Sequence, residues 1–170
     1  MIVKRGFAFL IDYLIIAIYA VGLFFASPFL IALLPVDLSP TTPITNQIVG
    51  FITLTLPVFL YFYISERRKN RGTFGKRILG LRVEQSKDNR SRKILARNLI
   101  KFLPWEVAHC GVHFLFYYDH QQLSVPIWNW ALLIIPQVVV IFYIYTIIVS
   151  KGESSFYDRL ANTEITYDSI

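Results

Sequence analysis

Four stretches of this chain follow a pattern that a bilayer imposes. About 20 mostly apolar residues are needed to cross a hydrocarbon core. Residues 6–34 are apolar apart from Asp12 and the pair Ser27-Pro28. Residues 44–64 lie inside a run that carries no charge from Leu38 to Ser65, and residues 127–149 form a second uncharged run of 23. That last run is long enough to cross with some tilt. Residues 94–118 are harder, because Arg97, Lys101, Glu106, His109 and His113 interrupt them. Each stretch predicts a helix, and Pro28 predicts a bend or an end to the first.

Basic residues decide the fourth crossing. Thirteen of the 17 Lys and Arg lie between Arg67 and Lys101; Lys4 and Arg5 precede the first span, and Lys151 and Arg159 follow the last. None falls in 35–43 or 117–126. If 102–118 crosses, all 17 share one side, and the positive-inside rule makes that side cytoplasmic. The expectation is an all-α, polytopic bundle of four transmembrane helices (6–34, 44–64, 99–118, 127–149) forming one domain over 1–170. Both termini, a basic loop 65–98 and a tail 150–170 are then cytoplasmic. Tyr61 and Tyr63 would mark the inner interface, and Tyr117, Tyr118, Trp128 and Trp130 the outer one.

Lys4-Arg5 before an apolar run resembles the start of a signal peptide. The run is too long for one, and Phe24-Phe25-Ala26 lacks the small residue a cleavage site needs at −3. An uncleaved first span is expected. Lys76 to Gln85 alternates basic and apolar residues, which suits a segment lying on the membrane surface. Residues 86–91 read as a turn, and no segment echoes another, so no internal repeat is expected.

Composition narrows the class. The chain is 55% hydrophobic and 16% charged with a mean hydropathy of +0.50, whereas soluble domains are about a quarter charged. A soluble enzyme is excluded, and 14 Phe and 10 Tyr exclude disorder. The net charge of +6 sits between apolar runs, so anionic lipid head groups, not nucleic acid, are its expected partner. The single cysteine, Cys110, rules out a disulfide framework or a multi-cysteine metal site.

Two groups of residues could carry chemistry. Asp12 is an ionisable group inside a span, costly there and functional by default. It is either a tie to a neighbouring helix or an ion or proton site. Glu106, His109 and His113 fall within roughly a 60° arc of one helix. That stripe could be a buried polar network, a proton or ion path, or weak ligands for a transition metal. Gly72-Thr73-Phe74-Gly75-Lys76-Arg77 only superficially suggests a phosphate loop, since Asn70 and Arg77 replace the glycine and hydroxyl residue it requires. No cofactor is expected, and no enzymatic reaction.

Three motifs carry a family resemblance. Arg5-Gly6-Phe7-Ala8-Phe9-Leu10-Ile11-Asp12 resembles the opening of the RDD family of small integral membrane proteins, named for one arginine and two aspartates. The segment from Gly72-Thr73-Phe74-Gly75-Lys76 to Gly80-Leu81-Arg82-Val83 resembles its loop motif. Phe156-Tyr157-Asp158-Arg159-Leu160-Ala161-Asn162-Thr163 resembles its C-terminal signature, with Asp158 matching the second aspartate and Asn162 standing where the family often has Gly. The resemblance implies a bacterial-type plasma membrane protein. It leaves the function open between a proton/cation transporter or exchanger-like protein and a non-catalytic scaffold or accessory subunit of a larger membrane complex. In the first, a homo-oligomer would use the Asp12, Glu106, His109 and His113 already singled out; a weaker third class is an intramembrane metal-dependent enzyme using Glu106, His109 and His113. A charged network of Arg5, Arg82, Asp158 and Arg159 is expected at the cytoplasmic face, with Asp12 just above it.

Overall fold

The structure is a computed structural model describing residues 1–33, 42–68, 71–85 and 89–168. Most of the stretch 35–43, and part of the turn expected at 86–91, lie outside the described residues. The chain runs α1 (Ile2–Leu33), α2 (Pro43–Gly50), a π-helical turn (Phe51–Thr55), α3 (Leu56–Arg67), α4 (Phe74–Ile78) and β1 (Leu81–Gln85). It continues through α5 (Arg90–His120), α6 (Ile127–Val149), α7 (Phe156–Leu160) and β2 (Thr163–Tyr167). Three helices are long and apolar enough to cross a membrane: Ile2–Phe29, Pro43–Arg67 and Ile127–Val149. Helix α5 has 31 residues and is about 45 Å long, but its charges keep it out of that group. Large apolar side chains stand exposed along the spans, among them Phe24, Phe29, Ile141 and Tyr145, as surfaces that lipid rather than water covers.

Proline does not end these helices. A proline cannot donate to the carbonyl four residues back, and inside a bilayer that carbonyl needs another donor. Helix α1 continues past Pro28 to Leu33, where Ser27 Oγ donates to Phe24 O at 2.8 Å. The Tyr19 hydroxyl donates to Thr53 O, the carbonyl left by Pro57, at 2.5 Å. The Tyr143 hydroxyl donates to Ile100 O, left by Pro104 in α5, at 3.1 Å. The helix does not end at Pro28 as one of the two expectations had it, and a neighbouring hydroxyl supplies the missing bond.

The chain is not all-α. Strands β1 and β2 pair antiparallel, Leu81 opposite Tyr167 and Val83 opposite Ile165. Of the segment expected on the membrane surface, Lys76 to Ile78 belong to α4, and the alternation from Leu81 onward is a strand's period of two. Leu81 and Val83 turn inward onto Ala8, Ile94 and Ile165, the core of the bundle's base, while Arg82 and Glu84 face outward into ion pairs. Both ends of the chain meet at this base, with Arg5 on α1 donating to Gly152 O at 3.1 Å.

An internal repeat, unexpected from the sequence, organises the molecule. Helices α3 and α6 end at Arg67 and Val149, α4 and α7 begin at Phe74 and Phe156, and β1 and β2 begin at Leu81 and Thr163. In each of these three pairs the second position lies 82 after the first. The register obeys the same exchange, so Val83 and Ile165 face each other where a local two-fold axis passes through the sheet. Between helix and strand both units need a left-handed residue, Gly80 at φ 64° and Asn162 at φ 52°. Asparagine is among the few non-glycine residues that tolerate it, which explains Asn162 at a position where glycine is common. The long helices α1 and α5, 32 and 31 residues, open the two halves.

Candidate functional site

Two polar regions sit in this apolar bundle. The first is at the base. Helix α1 brings Arg5, α3 brings Glu66, α4 brings Lys76, α5 brings Arg97 and Asn98, and α7 brings Asp158, all buried. Arg5 Nη2 donates to Asp158 Oδ2 at 2.6 Å and to the Tyr157 hydroxyl at 3.2 Å. Arg97 Nε donates to Asp158 Oδ1 at 2.6 Å, and its Nη1 donates to Glu66. Lys76 donates to the other oxygen of Glu66, and Asn98 Nδ2 adds a bond to Glu66 at 3.0 Å. The result is one chain of alternating charge, Lys76–Glu66–Arg97–Asp158–Arg5, crossing both halves of the repeat.

Asp158 is also the N-terminal anchor of α7. The Ser155 backbone N–H and hydroxyl both donate to its Oδ2, at 2.9 and 2.8 Å, and the Asp158 N–H returns a bond to Ser155 Oγ, a capping box. Burial alone would raise this carboxyl, but Arg97 and Arg5 outweigh it and hold Asp158 well below the usual carboxylate range. Burial lowers the Lys76 ammonium from its ordinary value, against the pull of Glu66.

Asp12 stands just above this chain and is equally saturated. The Tyr61 hydroxyl and the Gly75 N–H each donate to Oδ1 at 2.9 Å, and the Thr73 hydroxyl donates to Oδ2. Gly75 is required, because a Cβ there would overlap the backbone of Ala8. Helix α4 can therefore press onto α1, which is what carries its N–H to the carboxylate.

The second region lies higher, on α5 and α2. Glu106, His109 and His113 are 9 to 16 residues beyond Arg97, about 14–24 Å along the helix. The rings of His109 and His113 are 4.6 Å apart, and Trp105 packs on His109 at 5.8 Å. Gln47 Nε2 donates to Glu106 Oε2 at 2.6 Å. A Cβ on Gly50 would come within 2.6 Å of His109 Cε1 and 3.4 Å of His113 Nε2, so this glycine makes room for both imidazoles. The π-helical turn begins at the next residue, and such turns recur at functional sites. Within this region Gln47 Oε1, Glu106 Oε1, His109 Nδ1 and His113 Nε2 are buried without a hydrogen-bond partner. Among the described residues, no group of three His, Cys, Asp or Glu side chains is arranged to hold a metal ion.

The family model for the RDD family matches residues 1–162. The chain belongs to the RDD family. No curated protein and no solved structure matches it. In this RDD protein Arg5 and Asp158 meet directly, while Asp12 binds Tyr61, Thr73 and Gly75 and not the Glu106 stripe. Arg82 and Arg159 do not join the buried network. Strand alternation turns Arg82 out to Asp168 at 3.1 Å, and one helical step past Asp158 turns Arg159 out to Ser154 at 3.2 Å. Of the loop residues, Lys76 and Gly75 reach the base sites, Gly80 makes the turn, and Gly72 packs beneath Leu81. Glu66, Arg97, Asn98 and Gln47 were not singled out by sequence reasoning. The one available signal was Arg97, a charge inside the long stretch 94–118.

Proposed function

We propose that this RDD protein is a four-span protein of the plasma membrane that moves protons or cations through the Gln47, Glu106, His109 and His113 cluster. The observation that carries this reading is the set of unpartnered polar atoms inside otherwise apolar spans. Buried polar groups are almost always paired, and an unpaired set at membrane depth is costly unless something enters to satisfy it. Asp12, already holding three donors, serves as a tie in this reading.

The repeat supports four spans. If α1 crosses, its counterpart α5 crosses too, both halves have the same orientation, and the two-fold axis runs along the membrane normal. Both termini and the basic loop then face the cytoplasm. Helices α4 and α7 present Phe74 and Ile78, and Phe156 and Leu160, with Arg77 and Arg159 exposed beside them. That pairing suits anionic head groups at the inner surface. Single cysteines in a Cys110→Ala background test this. A membrane-impermeant thiol reagent applied outside should label position 122 and not 151; the reverse, or equal labelling, rejects four spans.

The transport reading is tested by proton flux in proteoliposomes under imposed sodium, potassium and pH gradients. Wild type should exceed empty liposomes, and Glu106→Gln should abolish the excess. The saturation of the base favours a second reading, a scaffold or accessory subunit in which polar groups only hold helices together. Wild-type flux equal to empty liposomes would leave that reading in place.

A further inference from the structure

Lys101 on α5 belongs to neither polar region described above. Ile94, Arg97, Asn98 and Pro104, all buried, lie within about 60° of it around the helix, so its side chain points into the bundle. It is nevertheless only half-buried, which means that space adjoins it there. Its Nζ lies 3.5 Å from the centroid of the Phe62 ring and 5.3 Å from that of Phe102, as an ammonium held over aromatic rings does. The rings attract its charge but leave three N–H donors without an acceptor. Among the described residues no carboxylate pairs with it. Glu66 is taken by Lys76, Arg97 and Asn98, and Asp12 by Tyr61, Thr73 and Gly75. Lys76 and Arg97 act on Lys101 as like charges. The cations Arg5, Lys76, Arg97 and Lys101 thus face only the carboxylates Asp12, Glu66 and Asp158. One positive charge is left over, at a depth where charges are normally paired.

We infer that Lys101 is the binding residue of a small monovalent anion, a halide in chemical class. The inference does not depend on the transport reading and concerns a different part of α5. An anion supplies the acceptor that the ammonium lacks and cancels the surplus charge. A phosphate or sulfate brings several oxygens, each asking for a donor, and one ammonium does not meet them. A halide carries one charge and imposes no direction on its partners. Sodium or potassium would meet Lys101, Lys76 and Arg97 as like charges. One turn back along α5, Asn98 Oδ1 is buried without a partner. That acceptor would repel a bare anion but takes a hydrogen from a water of the anion's shell, so the halide is bound with water.

The test is a detergent melt at pH about 8, above the imidazole range, with sodium chloride exchanged for sodium gluconate at constant ionic strength. Wild type should melt about 3 °C or more higher in chloride, because a ligand that binds only the folded state stabilises it. Lys101→Met, similar in length and uncharged, should show no such rise. Equal melting of wild type in the two salts overturns the inference. So does a chloride rise that Lys101→Met retains, since that belongs to the salt and not to the site. Should Lys101→Met fail to fold, crystals of wild-type protein grown in bromide decide. An anomalous scattering peak beside Lys101 Nζ supports the site, and no peak there overturns it. Proton flux enters none of these readings, so the transport reading stands or falls separately.

Discussion

The base and the upper cluster are both polar regions in an apolar bundle, and they differ in one respect. At the base, each of the three carboxylates, Asp12, Glu66 and Asp158, has both oxygens engaged by donors. Asn98 Oδ1 is the one atom of the base network buried without a partner among the described residues, whereas higher up Gln47, Glu106, His109 and His113 each retain such an atom. Polar groups in low dielectric stabilise a fold when fully paired and cost it when half paired. The base has the arrangement of a clamp. In the transport reading, the upper cluster is a site completed by what passes through it.

The largest expected effect comes from breaking the clamp at its centre. Arg97→Met leaves Glu66 and Asp158 buried with fewer cations, and removing one partner of a buried pair costs about 3–5 kcal/mol. A melt in detergent should show the largest drop of any variant here. Charge reversal at Asp158 should act in the same direction. Asp12→Asn removes the charge that receives three donors and should cost about 1.5–3 kcal/mol, read in the same melt. In the upper cluster Gly50→Ala sets a methyl against His109, an overpacking worth about 1–3 kcal/mol, and should lower flux along with stability.

Acid sharpens the contrast. The carboxyl of Asp158 is depressed in the folded protein, so the unfolded chain binds more protons across the carboxylate range. Its contribution to stability is therefore complete at neutral pH and falls as pH drops through about 4 and below. A pH series of melts checks the sign, and Asp158→Asn should flatten it. The smallest effect tests the repeat. Gly80→Ala should cost about 1–2 kcal/mol at its left-handed position, whereas Asn162→Gly, with the same backbone but a residue already tolerated, should change stability by about 0.5 kcal/mol or less.

The spans were the most legible part of the sequence, because length and the absence of charge are local properties. Helix α6 occupies the uncharged run 127–149 end to end. The strands were hidden because β1 finds its partner about 80 residues away, and alternation over 81–84 fits a lipid surface as well as a sheet. The repeat was hidden because its identities at this spacing are scattered, Tyr61 and Tyr143, Tyr63 and Tyr145, Phe74 and Phe156, and Arg77 and Arg159 among them, with mostly unlike residues between. What they conserve is backbone geometry, such as the positive φ of Gly80 and Asn162. The stripe of Glu106, His109 and His113 was visible from helical spacing. Its neighbours Gln47 and Gly50 come from another helix, and spacing along one helix cannot show them. Arg5 and Asp158 came together through the family's motifs, while Glu66 and Arg97 required the packing of α3 against α5.

The most direct measurement compares Glu106→Gln with Asp158→Asn, each taken through a detergent melt and a proteoliposome proton-flux assay. A division between clamp and pathway predicts that Glu106→Gln melts within a few degrees of wild type and loses its flux, while Asp158→Asn melts far lower. A Glu106→Gln variant that keeps wild-type flux but loses stability as Asp158→Asn does would show that both regions only hold the helices together.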